Sequence, residues 1–281
     1  MIQTVARLAM RLSQGHLADY GATRSRHDFT QRQLLSVLIV RAYLRTTYRG
    51  VLEILAISPG LRQELGLHDK LPHYTTLQKF SARSKVLEIV QGLLTRIGTQ
   101  ALDQSGEAMA AMDSTGLATT TASAYFQSRG GKRRRSWVKF STIVLCGSLL
   151  PIAVVLDRGP SNDRLQASEL LRQGQAVGPV ERLYADAGYD AEWIHERCRS
   201  QWAAESVIKP NGQRADGRRN GRWRSKMSPR HLEKKRYGRR WAVESFFSGL
   251  KRTTGSSLSA RSPEQQLAEA AIRILAYALR R

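Results

Sequence analysis

Cysteine is nearly missing from this chain. Cys146 and Cys198 are the only two in 281 residues, too few for a disulfide framework and not at a metal-knuckle spacing. Both are expected to be ordinary reduced thiols. The six histidines form no HxxxH or HxH pair, so a zinc site is not expected. No GxxxxGK[ST] element occurs either, which argues against a nucleotide-driven motor. Long apolar runs are also lacking. The most apolar segment, from Ile143 to Leu156, is broken by Gly147-Ser148 and Pro151 and falls short of the roughly 20 residues of a membrane helix. The opening Met1-Ile2-Gln3-Thr4-Val5-Ala6-Arg7 has no signal-peptide core. A cytoplasmic protein with no membrane partner is expected.

Acids are in short supply. There are 23 Asp and Glu against 45 Lys and Arg, a formal charge of +22, while 41% of residues are hydrophobic. That apolar fraction is too high for a disordered polycation, so the charge sits on a folded surface. A folded surface so charged repels itself unless a polyanion neutralises it, and nucleic acid is the first candidate.

Residues 1 to about 100 read as helical. Leu34, Leu35, Leu38, Ile39, Ala42 and Tyr43 recur at helical spacing. Ser58-Pro59-Gly60 reads as the stop after Val51–Leu55, and Thr75 or Thr76 as the cap of a short helix carrying Lys79 and Arg83. This region, 1–100, is expected to bind DNA or dimerise, with a plain helical bundle the equal alternative. Beyond Ser105-Gly106 the period changes. Strands are expected at Ala108–Met112, Phe140–Cys146, Leu149–Leu156, Val180–Ala185 and Ala204–Ile208, with Gly147-Ser148 as a tight hairpin turn. Helices are expected after Ser161-Asn162-Asp163, where Asn162 or Asp163 is the cap, and over 191–199, 229–252 and 263–279. Residues 101–281 therefore read as an α/β domain, a mixed sheet with helices on its faces.

Two of those strands are expected to end in acids, Asp113 in Met112-Asp113-Ser114-Thr115 and Asp186 in Ala185-Asp186-Ala187-Gly188-Tyr189-Asp190. Either alone reads as a turn former or cap. Two at adjoining strand ends need a cation between them. On one helix over 229–252, Tyr237, Arg240, Glu244, Ser248 and Lys251 would share a face beside an apolar stripe of Val243, Phe246, Phe247 and Leu250. An Arg240–Glu244 pair on a solvated face is the plainer reading. It leaves Tyr237 and Lys251 without a role. Three carboxylates offering only oxygen would suit Mg²⁺ or Mn²⁺ and phosphodiester chemistry.

The Tyr-x2-Arg-x3-Glu-x6-Lys spacing of Tyr237, Arg240, Glu244 and Lys251, with Asp113-Ser114-Thr115 and Asp186-Ala187-Gly188-Tyr189-Asp190, resembles bacterial insertion-sequence DDE transposases with a ribonuclease-H-like core. Trp137-Val138-Lys139-Phe140 and Gly159-Pro160-Ser161-Asn162-Asp163 are similar to that family too. The resemblance implies that Asp113, Asp186 and Glu244 are catalytic and bind the metal, Mg²⁺ or Mn²⁺. It implies an endonuclease that cuts transposon terminal inverted repeats and joins the 3′-hydroxyl to target double-stranded DNA, as a homodimer on DNA in a bacterial or archaeal nucleoid. Tyr237, Arg240 and Lys251 would contact DNA near the cut. Ala187 stands where many relatives carry a basic residue, and Asp190 ranks second to Asp186. A metal-dependent nuclease without joining, or a non-catalytic DNA-binding regulator, are the alternatives.

The surplus charge is concentrated. Residues 211–240 hold twelve Lys and Arg against Asp216 and Glu233. The segment 211–230, punctuated by Gly212, Gly217 and Gly221, reads as a basic loop. Lys132, Arg133, Arg134 and Arg135 form a second basic loop. With Lys139, Arg218, Arg219, Arg222 and Arg224 they are candidate DNA contacts, and Trp223 among them would stack on a base or pack.

Overall fold

In the computed structural model, residues 1–22, 24, 26–83, 85–106, 109–119, 137–211 and 220–281 are described. The chain divides into two compact units. One gathers residues 1–93, 117–119 and 249–281, and the other 94–116 and 137–248, among those described. The helical region expected at 1–100 is thus accompanied by the last thirty-odd residues of the chain.

The helical unit starts with α1 (Ile2–Ser13), α2 (Gln31–Leu44), α3 (Tyr48–Ala56), α4 (Pro59–Glu64) and α5 (Tyr74–Ser81), and α6 (Lys85–Ser105) runs out of it. Local chemistry sets the starts. Thr30 and Gln33 form a reciprocal capping box at α2, with Thr30 Oγ1 accepting from Gln33 N at 3.2 Å and Gln33 Oε1 from Thr30 N at 2.8 Å. The helix over 48–56 ends just before Ser58-Pro59-Gly60, as expected, and Pro59 then sits in the first turn of α4, where its missing N–H costs nothing. Thr75 and Thr76 do not cap α5. The helix begins at Tyr74, and His73 Nδ1 meets Thr75 Oγ1 at 2.8 Å. The final helix (Pro263–Arg280), capped by Ser262, packs its buried run from Ala268 to Ala278 against α1 and α2.

The other unit is built on five strands, β1 (Met109–Ala118), β2 (Trp137–Leu145), β3 (Pro151–Gly159), β4 (Arg182–Ala185) and β5 (Glu205–Ile208), in the order β3-β2-β1-β4-β5. β2 and β3 are antiparallel, whereas β1, β4 and β5 run parallel. This is the expected mixed sheet. The helices α7 (Arg164–Val177) and α8 (Glu192–Gln201) cover one face. There Ala110, Met112, Ile143, Leu183, Ala185 and Ile208 pack against Ala167, Leu170, Ile194 and Cys198. On the other face Phe140 meets Phe246 and Phe247 at centroid separations of 6.1 and 5.5 Å.

Three expectations need correction. The β2–β3 link is longer than Gly147-Ser148. Leu149, not Gly147, takes the left-handed conformation (φ 57°), and the ladder slips at Ile143/Val144. β1 does not stop at Asp113. It continues to Ala118, while its pairing with β4 ends at Met112↔Ala185 because β4 ends there. The single helix expected over 229–252 is three pieces: α9 (Pro229–Lys234), a 3₁₀ turn (Tyr237–Arg240) and α10 (Trp241–Thr254). Arg236 turns left-handed (φ 56°) between the first two. Tyr184 Oη donates to Lys235 O at 2.9 Å and Tyr237 Oη to Ala185 O at 3.1 Å. These tertiary bonds hold the break against helix propensity.

Candidate active site

Two acids meet because two parallel strands carry them to the same level. Met112 and Ala185 form the last register pair, so Asp113 and Asp186 come next, side by side. Met112 and Ala185 point into the core under α7 and α8. By alternation, Asp113 and Asp186 project to the opposite face, the one that carries Phe246. Ser114 N donates to Asp113 Oδ1 at 2.7 Å, and Gly188 N to Asp186 Oδ1 at 2.8 Å. Asp186 therefore also caps the 3₁₀ turn Ala187–Tyr189.

A further acid that the sequence presents as a helix cap, Asp163, lies close by. It occupies the N-cap position of α7 but makes no side-chain cap bond. A Cβ at Gly188 would stand 3.0 Å from Asp163 Oδ2 and 3.0 Å from Asp186 Oδ1. Both carboxylates flank a position that only glycine leaves open. Asp163 Oδ1 is balanced by Lys139 Nζ at 2.7 Å. That ammonium also donates to Ser161 O at 2.7 Å, and Lys139 is only 4% exposed. Lys139, expected at the DNA surface, is internal.

Arg240 joins the cluster from the 3₁₀ turn before α10. Its Nη1 donates to Asp113 Oδ2 at 3.2 Å, and its Nη2 pairs with Glu244. The plain i,i+4 pair is therefore present, and the same guanidinium reaches the cleft acid. Tyr237 is anchored on the Ala185 carbonyl beside Asp186. Glu244 stays half exposed and pairs with the other terminal nitrogen of Arg240. Among the described residues, no three Asp, Glu, His or Cys side chains gather closely enough to hold one metal ion. Lys251 lies on α10 beyond Glu244, in the stretch that clusters with the helical unit.

The electrostatics follow from crowding. Burial is the main force that lifts the Asp113 carboxyl to about 6, and the charges of Asp186 and Asp163 add to it. The Ser114 amide and Arg240 oppose this lift and lose. Tyr237 is raised by burial too, with Asp186 and Asp113 contributing. Negative charge held together against its own repulsion, presenting only oxygen, fits a hard divalent cation such as Mg²⁺. Asp113 and Asp186 are the residues that could hold such a cation.

Behind Asp113 runs a chain of hydroxyls. The buried Tyr189 Oη meets Ser114 Oγ at 2.7 Å, and Ser114 Oγ meets Ser141 Oγ at 2.8 Å. Sequence reading missed this chain and Asp163, because serines on strands and an aspartate before a helix are commonplace. The alternation that places Ser114 opposite Asp113 was the available signal. Trp241, beside Arg240, is 61% exposed.

The basic candidates divide. Lys132, Arg133, Arg134, Arg135, Arg218 and Arg219 lie outside the described residues. Arg224 points inward, with Nε and Nη2 donating to Asp190 at 2.8 and 2.6 Å. Arg222 is exposed, its Cζ 4.8 Å from the Trp223 ring centroid, and Arg199 and Lys226 also approach that ring. Trp223 thus packs among cations.

Residues 104–279 match the family model described as the transposase DDE domain. No curated protein matches the chain. Among solved structures it is similar to the piggyBac transposase synaptic complex with hairpin DNA, at 11% identity and a TM-score of 0.49, over 99% of this chain and 71% of that one. Among the described residues, no helix is long and apolar enough to cross a membrane.

Proposed function

We propose that this chain, a member of the transposase DDE-domain family, cuts DNA at the ends of a mobile element and joins the freed 3′-hydroxyl to target DNA. The observation that carries the reading is that Asp113 and Asp186 follow the last β1–β4 register pair, Met112↔Ala185, side by side, with Arg240 bonded to Asp113. Mg²⁺ or Mn²⁺, when bound, would supply Lewis-acid activation of the attacking oxygen and stabilise the leaving one. Asp113 and Asp186 hold that charge, and Glu244 is the third acid of the set.

Arg240 spans Asp113 and Glu244 in the protein alone. Its fork matches a phosphate as well as it matches carboxylates. A scissile phosphate entering the cleft competes for the guanidinium, which frees Glu244 to turn inward. Tyr237, fixed on Ala185, forms a wall of the cleft. The hydroxyl chain of Tyr189, Ser114 and Ser141 fixes the backbone that carries Asp113.

The test is incubation of the full chain with labelled element ends, target DNA and Mg²⁺, resolving nicked from joined products. Both products from wild type and neither from Asp113→Asn support the reading. Cutting without joining indicates a nuclease. Equal products from Asp113→Asn and wild type overturn the site.

A further inference from the structure

We propose a second phosphate-binding site, in the helical unit, that takes a sugar–phosphate of the DNA backbone. It is a pocket of about 250 Å³ walled by the carboxyl end of α2, the segment after α10 and the last helix. At roughly 30 Å³ per water the space equals about eight waters, more than a bare phosphate needs and enough for a phosphate with its sugar.

Arg41, Arg45 and Arg273 line it, with hydroxyls from Thr46, Ser256 and Ser257 among the other groups. One acid is present, Glu269, and it is already occupied. Its Oε1 accepts from Arg273 Nη2 at 2.7 Å, and its Oε2 accepts from the amides of Ser259 and Ala260 at 2.9 and 2.7 Å. Glu269 therefore fixes Arg273 and the segment after α10 without neutralising the other two arginines. Among the described residues neither Arg41 nor Arg45 has a carboxylate partner. Arg45 donates Nε to Thr253 O at 2.9 Å. Arg41 is held 4.1 Å over the Tyr48 ring, and its Nε is buried without a hydrogen-bond partner.

Arg41 Nε is a buried donor left unpaired, which is costly, and a phosphate oxygen is the acceptor that the Arg41 and Arg45 guanidiniums match best. An apolar or cationic ligand would leave both arginines uncompensated. A free phosphate or nucleotide shares the chemistry. The backbone phosphate is assigned because a +22 chain read as acting on DNA needs grips outside the catalytic cleft. This assignment rests on the proposed function.

The experiment measures binding of the full-length chain to a short duplex as salt is raised. It uses wild type, Arg45→Gln, Arg41→Gln/Arg45→Gln and the charge-keeping Arg41→Lys/Arg45→Lys. A parallel thermal-shift titration uses inorganic phosphate. The double Gln variant should bind duplex about tenfold more weakly at fixed salt. Its slope of log affinity against log salt should be shallower by about 0.9, one phosphate's worth, with the double Lys variant in between. Arg45 is exposed, so Arg45→Gln reports even where the double variant is unstable. Unchanged affinity and slope in the Gln variants overturn the site while leaving the catalytic reading intact. A thermal shift with inorganic phosphate that the double Gln variant loses, with duplex binding unaltered, also overturns the backbone assignment. Failure of wild type to bind any duplex overturns both.

Discussion

Asp186 and Asp190 are four residues apart on one loop, and the structure treats them in opposite ways. Asp190 is closed off. Its side chain is fully buried, Arg224 grips it with two nitrogens, and Asn211 N adds a third bond at 2.8 Å. Burial works to raise that carboxyl, yet these bonds outweigh it and hold it below the usual carboxylate range. Asp186 shares an open cleft with Asp113 and Asp163, and in that cleft Asp113 is lifted to about 6. A satisfied, buried acid ties the fold together; acids crowded against one another have chemistry left to do.

Replacing each of the two aspartates separates these roles. Asp186→Asn keeps an Asn at a cap position, where it still accepts from Gly188 N. Strand cleavage should fall on the order of 10³-fold or more, while the urea midpoint stays near wild type. Asp190→Ala should do the reverse. It strands Arg224 and the Asn211 amide, and a loss of about 3 kcal/mol is expected from a shifted urea midpoint at constant slope. Cleavage per folded molecule should survive. An Asp186→Asn protein that still cuts, or an Asp190→Ala protein as stable as wild type, breaks the contrast.

A pH effect of similar size belongs to the closed side. His195, buried on α8 with Nδ1 2.7 Å from Ser206 Oγ, is pushed down to about 4, by burial first and by Arg199 next. The unfolded chain takes up this proton near pH 6.5, before the folded protein does. Stability is therefore complete above about 6.5 and drains as pH falls toward 4, by about 3 kcal/mol from this group. Asp113, lifted to about 6, works the other way over the same range, so the test is the difference: from pH 7 to 5 the melting temperature of wild type should fall relative to that of His195→Gln. The smallest effect concerns the hydroxyls behind Asp113. Tyr189→Phe removes one partner of Ser114, which keeps Ser141, so a loss near 1 kcal/mol and a few-fold slower cleavage are expected.

The sheet was legible because its strands are short runs of Ile, Val, Leu and Ala bounded by turn residues, and all five appear. Asp113 and Asp186 were legible for the same reason, each following an apolar run. Interactions between distant residues were not. Nothing local marks the break at Arg236, which depends on Tyr184 and Tyr237 binding backbone fifty residues away. Lys139 looked like surface charge because its counterion, Asp163, is 24 positions on and resembles a cap. Arg224 looked like one more cation in a basic run, because its inward turn follows from Asp190, far from it in sequence. Leu149 takes the left-handed turn position in place of Gly147, and the β2–β3 ladder slips at Ile143/Val144, features that depend on the paired strand.

The most direct measurement is an anomalous difference map from crystals of the full chain grown with Mn²⁺. A peak shared by Asp113 and Asp186, absent in Asp186→Asn crystals and with none at Asp190, is the expected result. Crystals saturated with Mn²⁺ that show no peak at that pair, or a peak that survives Asp186→Asn, would contradict the assignment of the open cleft as the metal-dependent centre.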